Sequence, residues 1–414
     1  MSETARRVAI TGIGIVSPVG NSKTTFFQSL LAGKSGIRRI NAPFATRLAT
    51  QVAGQVELDP LAHFSRIKLG SLDRFSQFAL IAAKEAMQDS GLPLSDGDKL
   101  ETGVHIGTGF GGAHALEDVY AEVFKLQGEP RIKPFTVILT MNNAAAGQIG
   151  LEYGLQGPNE TYSTACASSA IAIGKAFRTI RHGYAHTMLA GGTEALLTLG
   201  AIKSWEALRV LAFEDKANPS ASCRPFSKDR SGLVLGEGAA ILVLEEMTRA
   251  KARGANIYAE LAGYGTANDA AHITKPSVHG QVRAMAAALA DAKLSAQDID
   301  YINAHGTATP VGDVVETQAI RQLFGAHASC VAVSSTKSMH GHLMGATGAV
   351  EFAAAVLAIR HQAIPPTAHL RAADPDCDLD YVANAGRHDV KVRAVMSNAF
   401  AFGGSNAVLI ARAP

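Results

Sequence analysis

The sequence predicts an α/β fold whose strands are covered by helices on both faces. Short β-branched runs alternate with longer Ala-rich segments of helical period. Several of those runs are apolar along most of their length, as strands buried on both faces must be. The chain's cysteine and histidine motifs also recur where such a run gives way to a helix, the end of a parallel sheet at which ligands bind.

In chain order, strands are predicted at Val8–Ile15, Val104–Gly107, Thr187–Ala190, Ala240–Leu244, Tyr301–Asn303, Val331–Ser335 and Val392–Asn398. Each is a β-branched or aliphatic run too short to make a stable helix. Helices are predicted at Phe78–Ser90, Ala167–Arg181, Gln281–Ala292, Asp313–Leu323 and Ala349–Arg360, where the apolar period lengthens. The polar, basic segment Thr248–Asn256 follows one strand and precedes another apolar run, Ile257–Leu261. A boundary there divides the chain into residues 1–252 and 253–414. An Ala-rich helix ending in Ile-Arg-His occurs in both parts, at Ile180–His182 and Ile359–His361. The match is short enough for coincidence to compete, but it favours an internal duplication over two unrelated domains.

Composition narrows the function classes. Apolar residues make up 47% of the 414 and charged residues 18%, enough for a large buried core. With 38 basic against 36 acidic residues and a formal net charge of +2, the chain lacks the basic excess of a general nucleic-acid or anionic-membrane binder. The start, Met1–Arg7, is polar and leads straight into Val8-Ala9-Ile10. It has no signal-peptide core, and no apolar stretch reaches about 18 residues, so a cytoplasmic protein is expected. The four cysteines, Cys166, Cys223, Cys330 and Cys377, are scattered without a C-x-x-C pair. That speaks against a zinc site or a disulfide framework, and three of them are expected to be small buried hydrophobes.

Cys166 is the exception. The stretch Thr161-Tyr-Ser-Thr-Ala-Cys166-Ala-Ser-Ser-Ala reads as a strand entering a helix whose first turn begins at the cysteine. A thiol there would feel the positive end of the helix dipole, which favours thiolate, beside N–H groups free to face an oxyanion. An inert buried cysteine is the competing reading of this feature taken alone. Two histidine motifs follow: Asn303-Ala-His305-Gly-Thr307-Ala-Thr309 and Lys337-Ser-Met-His340-Gly-His342. A lone histidine is more often structural than catalytic, but a cysteine and two histidines at three strand ends form a more pointed set. Zinc binding by His340 and His342 would need further ligands that the pattern does not supply. Two glycine-rich pieces are not nucleotide loops. Thr11-Gly-Ile-Gly14-Ile-Val-Ser17 has a serine where a dinucleotide fingerprint needs its third glycine, and is expected to pack a strand tightly on a loop. Gly107-Thr-Gly109-Phe110-Gly111-Gly112 lacks Gly-Lys-Ser/Thr, so close backbone approach explains it better.

Together these motifs resemble the β-ketoacyl-acyl carrier protein synthases, in particular the elongating synthase II type. The resemblance runs from Val8-Ala-Ile-Thr-Gly-Ile-Gly to Ala401-Phe402-Gly403-Gly404-Ser405-Asn406 and includes Gly236-Glu237-Gly238-Ala239. It implies a thiolase-like five-layered αβαβα fold of two similar halves, the first carrying the nucleophile and the second both histidines. It also implies a decarboxylative Claisen condensation of acyl-carrier protein with malonyl-carrier protein. Cys166 would hold the acyl group, with the N–H groups of Cys166 and Phe402 as oxyanion hole and Phe402 as a mobile gate. His305 and His342 would bind the malonyl thioester oxygen, with Lys337 and Glu351 as a supporting ion pair. Thr274 and Thr307 would contact the pantetheine arm, and Phe110 would line the acyl tunnel. No metal or redox cofactor is implied. The expected partners are an acyl carrier protein and a second subunit, a homodimer before a heterodimer.

The chain departs from the family pattern in places. Phe110 replaces a smaller aliphatic residue and Ala401 a glycine, Ser227 and Ser231 replace aspartates, and Gly70-Ser71 stands where a basic pair meets the carrier protein. Arg66, Lys68, Arg131, Lys133 and Arg209 are the remaining docking candidates. These changes leave open a synthase dedicated to a polyketide or polyene pathway. A non-condensing partner subunit would lack the nucleophile, and a thiolase would need a second strand-end cysteine.

Overall fold

The computed structural model describes residues 6–125 and 128–414, so most of the polar start, Met1–Ala5, lies outside it. The strands, in chain order, are β1 (Val8–Val16), β2 (Ile37–Arg39), β3 (Val52–Gly54), β4 (Thr102–Gly107), β5 (Asn159–Tyr162), β6 (Thr187–Glu194), β7 (Gly238–Glu246), β8 (Ala259–Asn268), β9 (Tyr301–Asn303), β10 (Ala332–Ser334), β11 (Ala394–Phe400) and β12 (Ser405–Arg412). Among the described residues β2 and β3 form a small antiparallel pair, and the other ten make one mixed sheet in the order β10-β9-β11-β12-β8-β1-β7-β6-β4-β5.

That order contains the same pattern twice. Read from each edge to the centre, β5-β4-β6-β7-β1 and β10-β9-β11-β12-β8 place their strands identically when each set is counted from its own first strand. The strand directions match as well. In both sets the first three strands are parallel, and the next two junctions are antiparallel. The sets join where Val8–Ile10 of β1 pairs antiparallel with Ala259–Leu261 of β8. Both Ile-Arg-His triplets fall at equivalent places, where the helices Ser168–Arg181 and Thr347–His361 end.

Those two helices pack on each other, the first against β4 and β6 and the second against β11 and β7. Lying between the two five-strand sets of the sheet, Thr347–His361 is buried from Thr347 through Ile359, which is why it is apolar on every side. Small residues permit the approach: a side chain at Gly348 would meet Ala170 within 2.9 Å. Helices Arg74–Ser90, on β1 and β7, and Val278–Ala292, on β8 and β12, cover the outer faces. The result is the five-layered αβαβα stack of the thiolase-like fold. None of the described helices is long and apolar enough to cross a membrane.

Several sequence expectations change in detail. Gly12 and Gly14 pack on a helix rather than a loop, because side chains there would strike the Ala86 and Ala82 carbonyls of Arg74–Ser90 at 2.2 and 1.8 Å. At Gly107 the expected close approach is present, since a side chain there would meet the Ser169 backbone nitrogen at 2.2 Å. Cys223 and Cys377 are buried, but Cys330 is exposed, since it caps the short turn Gly325–Ser329 at the surface before β10.

Candidate active site

Three chain segments bring Cys166, His305 and His342 together. Cys166 follows β5, His305 follows β9, and His342 follows the short turn Lys337–His340 after β10. The His342 Nε2 lies 3.1 Å from the Cys166 Sγ. The His305 and His342 rings meet edge to face, 5.5 Å apart at 86°. All three side chains are buried.

The tautomer of His342 follows from its other nitrogen. Nδ1 accepts the Met344 backbone N–H at 3.0 Å and lies 2.9 Å from the Thr347 hydroxyl. An imidazole that accepts at Nδ1 carries its proton on Nε2, so an N–H points into the site. Burial, the Lys337 ammonium and neighbouring rings all push His305 and His342 well below the usual histidine range, so both are neutral donors. The neutral tautomer also opposes metal binding by the Cys166–His305–His342 cluster, whose ligand atoms lie within 4.8 Å of one another, because Nε2 has no free lone pair. His340 belongs to the scaffold instead: its ring nitrogens face the Gly341 carbonyl at 2.7 Å and the Thr336 hydroxyl at 3.0 Å.

The thiolate expectation needs correction. The helix begins at Ser168, not at Cys166, because Ala165 takes a left-handed φ of 49° and a separate turn forms. In that turn Ala167 N–H bonds the Thr164 carbonyl and Ser168 N–H the Ala165 carbonyl, each at 3.2 Å. Cys166 therefore precedes the helix, and burial pushes its thiol up to about 11. Opposing that are Lys337 and the backbone N–H groups of Phe402 and of Cys166 itself, which favour the thiolate. Cys166 therefore rests as a thiol.

Behind the histidines, Lys337 Nζ and Glu351 Oε1 pair at 2.6 Å, both fully buried. Burial raises the Glu351 carboxyl, with Lys337 working against it. Sequence reasoning missed three further residues that shape the site. Glu316 accepts the N–H groups of His305 at 2.8 Å and Gly306 at 2.7 Å, and the Asn398 amide at 3.1 Å. Glu194 accepts N–H bonds from Gly109, Phe110 and Gly345 at 2.7, 3.0 and 2.9 Å, tying the glycine-rich turn to the His342 loop. Trp205 stacks on Phe402 at 6.0 Å and 26°. The signal for both glutamates was a charged residue inside an otherwise apolar or small-residue stretch.

A cavity of about 410 Å³ reaches the site and is lined by Cys166, His305, His342 and Phe402, with Thr274 and Thr307 along its wall. Arg209 also lines it, whereas Arg131 and Lys133 line a separate groove beside Leu69 and Gly70. Lys68 is engaged by Gln148 at 3.2 Å, and Arg66 lies on the short helix before Gly70. Phe110 is outside the cavity, with its ring 43% exposed. Ser231, one of the aspartate replacements, lines the cavity and accepts the Phe213 N–H at 3.1 Å. Ser227 accepts the N–H groups of Arg371 and Ala372 at 3.2 and 3.1 Å.

Known proteins are similar to this chain in sequence and in fold. Residues 5–250 match the family described as Beta-ketoacyl synthase, N-terminal domain, and residues 258–371 match Beta-ketoacyl synthase, C-terminal domain. The 3-oxoacyl-[acyl-carrier-protein] synthase 2 of Staphylococcus aureus (strain N315) is 43% identical over 408 residues, covering 98% of both chains. That of Coxiella burnetii (strain RSA 493 / Nine Mile phase I) is 44% identical over 408 residues with the same coverage. Among solved structures, a β-ketoacyl synthase from Burkholderia phymatum STM815 superposes with a TM-score of 0.91 at 36% identity. A type II polyketide ketosynthase in complex with its acyl-carrier protein gives 0.91 at 35%; both alignments cover 99% of this chain and 100% of the other.

Proposed function

This chain belongs to the β-ketoacyl synthase family, and from that premise we propose that it condenses acyl-carrier protein with malonyl-carrier protein in fatty-acid elongation. The observation that carries the reading is the 3.1 Å approach of the His342 Nε2–H to the Cys166 sulfur, inside a cavity that opens to the surface.

Cys166, as thiolate, attacks the acyl thioester carbonyl. The C–S bond to the enzyme forms, and the carrier thiol leaves with a proton. The N–H groups of Phe402 and Cys166 that favour the thiolate are suited to hold the oxyanion of this step. Malonyl thioester then occupies the same cavity, its oxygen receiving N–H bonds from His305 and His342. As CO₂ departs, the electron pair of the broken C–C bond passes into an enolate whose oxygen those donors stabilise. The α-carbon attacks the acyl-cysteine, a C–C bond forms, and the Cys166 sulfur leaves. Lys337 and Glu351 position this site, while Thr274 and Thr307 line the route of the pantetheine arm. In this reading residues 1–252 form the nucleophile half and 253–414 the histidine half.

A second copy of the chain is the proposed partner subunit. Leu116, Tyr120, Phe124, Phe135, Val137 and Ile138, on or next to two helices that pack together, are exposed apolar residues, as is Phe110, and strand β5 lies at the sheet edge. A synthase dedicated to a polyketide or polyene pathway is the second reading. Phe110 and Gly70-Ser71, which stands in place of a basic pair, favour it. Supplying acyl- and malonyl-carrier proteins tests the main reading: wild type should release CO₂ and form a β-ketoacyl product, and Cys166→Ala should form none. Chain-length profiling of the products separates the two pathways.

A further inference from the structure

We propose that Trp205 is a positioning residue for acyl transfer. Its indole seats the Phe402 ring and so holds the Phe402 N–H against the Cys166 sulfur. The inference rests on the reading that Cys166 takes the acyl group.

The two aromatic partners stand on very different supports. Trp205 lies in helix Leu199–Leu208, whose first turn is pinned by Glu117, which accepts the N–H groups of Leu199 at 2.9 Å and Gly200 at 2.6 Å. Ile202 of the same helix is buried in an apolar cluster that also contains Cys166 and Met344, and Trp205 and Ala401 pack against it. Phe402 lies instead on a loop whose next two residues, Gly403 and Gly404, have left-handed φ of 83° and 76°. Around Gly403 there is open space, since a side chain there would meet nothing within 4 Å. The loop backbone is tied on both sides of Phe402: Ala401 N–H bonds the Ser405 carbonyl at 2.9 Å, Gly403 N–H bonds the Ile273 carbonyl at 2.7 Å, and the Asn268 amide reaches the Gly403 carbonyl at 3.2 Å.

Those bonds hold the chain on either side of Phe402 but not its ring. Among the described residues, the aromatic contact of that ring is Trp205, near parallel at 6.0 Å. Trp205 and Ala401, the residue before Phe402, pack on the apolar cluster that contains Cys166, and the Phe402 N–H is one of two backbone groups that favour the thiolate, so a shift of the ring carries that donor with it. A rigid helix thus sets the position of a donor on a glycine-hinged loop. Stacked pairs of this kind contribute energies that convert to about three- to tenfold in rate when they act in the transition state.

Trp205→Leu and Trp205→Phe, compared with wild type, test the assignment. The readout is the ratio of acyl transfer to Cys166 over malonyl decarboxylation, which a general loss of fold would leave unchanged. In Trp205→Leu that ratio should fall about three- to tenfold, and Trp205→Phe should restore most of it. An unchanged ratio in the leucine variant, with wild type acylating normally, overturns the Trp205 assignment alone. Failure of wild type to acylate at Cys166 overturns the underlying reading as well. Trp205 is also the chain's one tryptophan, so Phe402→Ala should change the emission spectrum by exposing the indole. Identical spectra would overturn the stack itself.

Discussion

Lys337 and Glu351 form an ion pair closed to solvent, Nζ to Oε1 at 2.6 Å, directly behind His305 and His342. The Lys337 ammonium is the second cause, after burial, that holds His305 and His342 below the usual histidine range. Both groups have lowered values, so their neutral donor forms persist to pH below 6.5. Removing the ammonium in Lys337→Met should move both upward. The pH profile of malonyl decarboxylation should be flat through the 6–7 range in wild type and should gain an acid limb in the variant. Breaking the pair also strands Glu351, at a cost of about 3–5 kcal/mol, so thermal unfolding must be measured alongside. An unshifted profile in a folded variant would show that Lys337 does not act on the histidines.

Glu194 should matter for stability more than its absence from the reaction suggests. It accepts three backbone N–H groups from two loops and is wholly buried, with burial raising its carboxyl to about 7. Glu194→Ala would leave those donors unpaired, each at about 1–3 kcal/mol. Chemical denaturation should therefore show a loss of at least about 3 kcal/mol; a loss under about 1 kcal/mol would mean the loops find other partners.

Phe110 tests chain length. Its N–H is fixed on Glu194 and its side chain is exposed, as are the apolar side chains proposed to meet a second copy. Enclosed there, a ring in place of an aliphatic side chain adds bulk to a packed site, typically about 1–3 kcal/mol of overfilling. Short and medium primers should outperform long ones in wild type, and Phe110→Ala should raise activity on long primers. Equal use of long primers by both proteins would remove Phe110 as the stop.

Arg209 is the docking candidate that the structure places at the cavity itself, exposed and at the end of the helix that carries Trp205. Charge reversal, Arg209→Glu, should lower the association rate of the acidic carrier protein and reduce its salt dependence, leaving the chemical steps alone. Binding kinetics unchanged at low salt would exclude it from the dock.

The clustering of Cys166, His305 and His342 was legible because strand-to-helix turns announce themselves locally: a β-branched run, then small residues and a cysteine or histidine, then an Ala-rich helix. The residues that orient the trio were not. Glu316, Glu194 and Trp205 meet His305, Gly345 and Phe402 through tertiary packing, which no local period encodes. The doubled strand order surfaced only as the two Ile-Arg-His triplets, since sheet order is set by long-range pairing. Cys166 misled for a related reason. Its strand-to-helix setting was visible, but the left-handed turn at Ala165 and the burial that raises the thiol depend on what packs over it.

Acylation of Cys166, followed by intact-protein mass and peptide mapping after incubation with acyl-carrier protein, tests the central claim most directly. Wild type, His305→Ala and His342→Ala should each gain one acyl group on the peptide containing Cys166, while Cys166→Ala gains none and still decarboxylates malonyl-carrier protein. Because burial holds the thiol near 11, the rate of adduct formation should rise with pH through the neutral range. An acyl group found on any other residue, or equal loss of acylation in all three variants, would contradict the account.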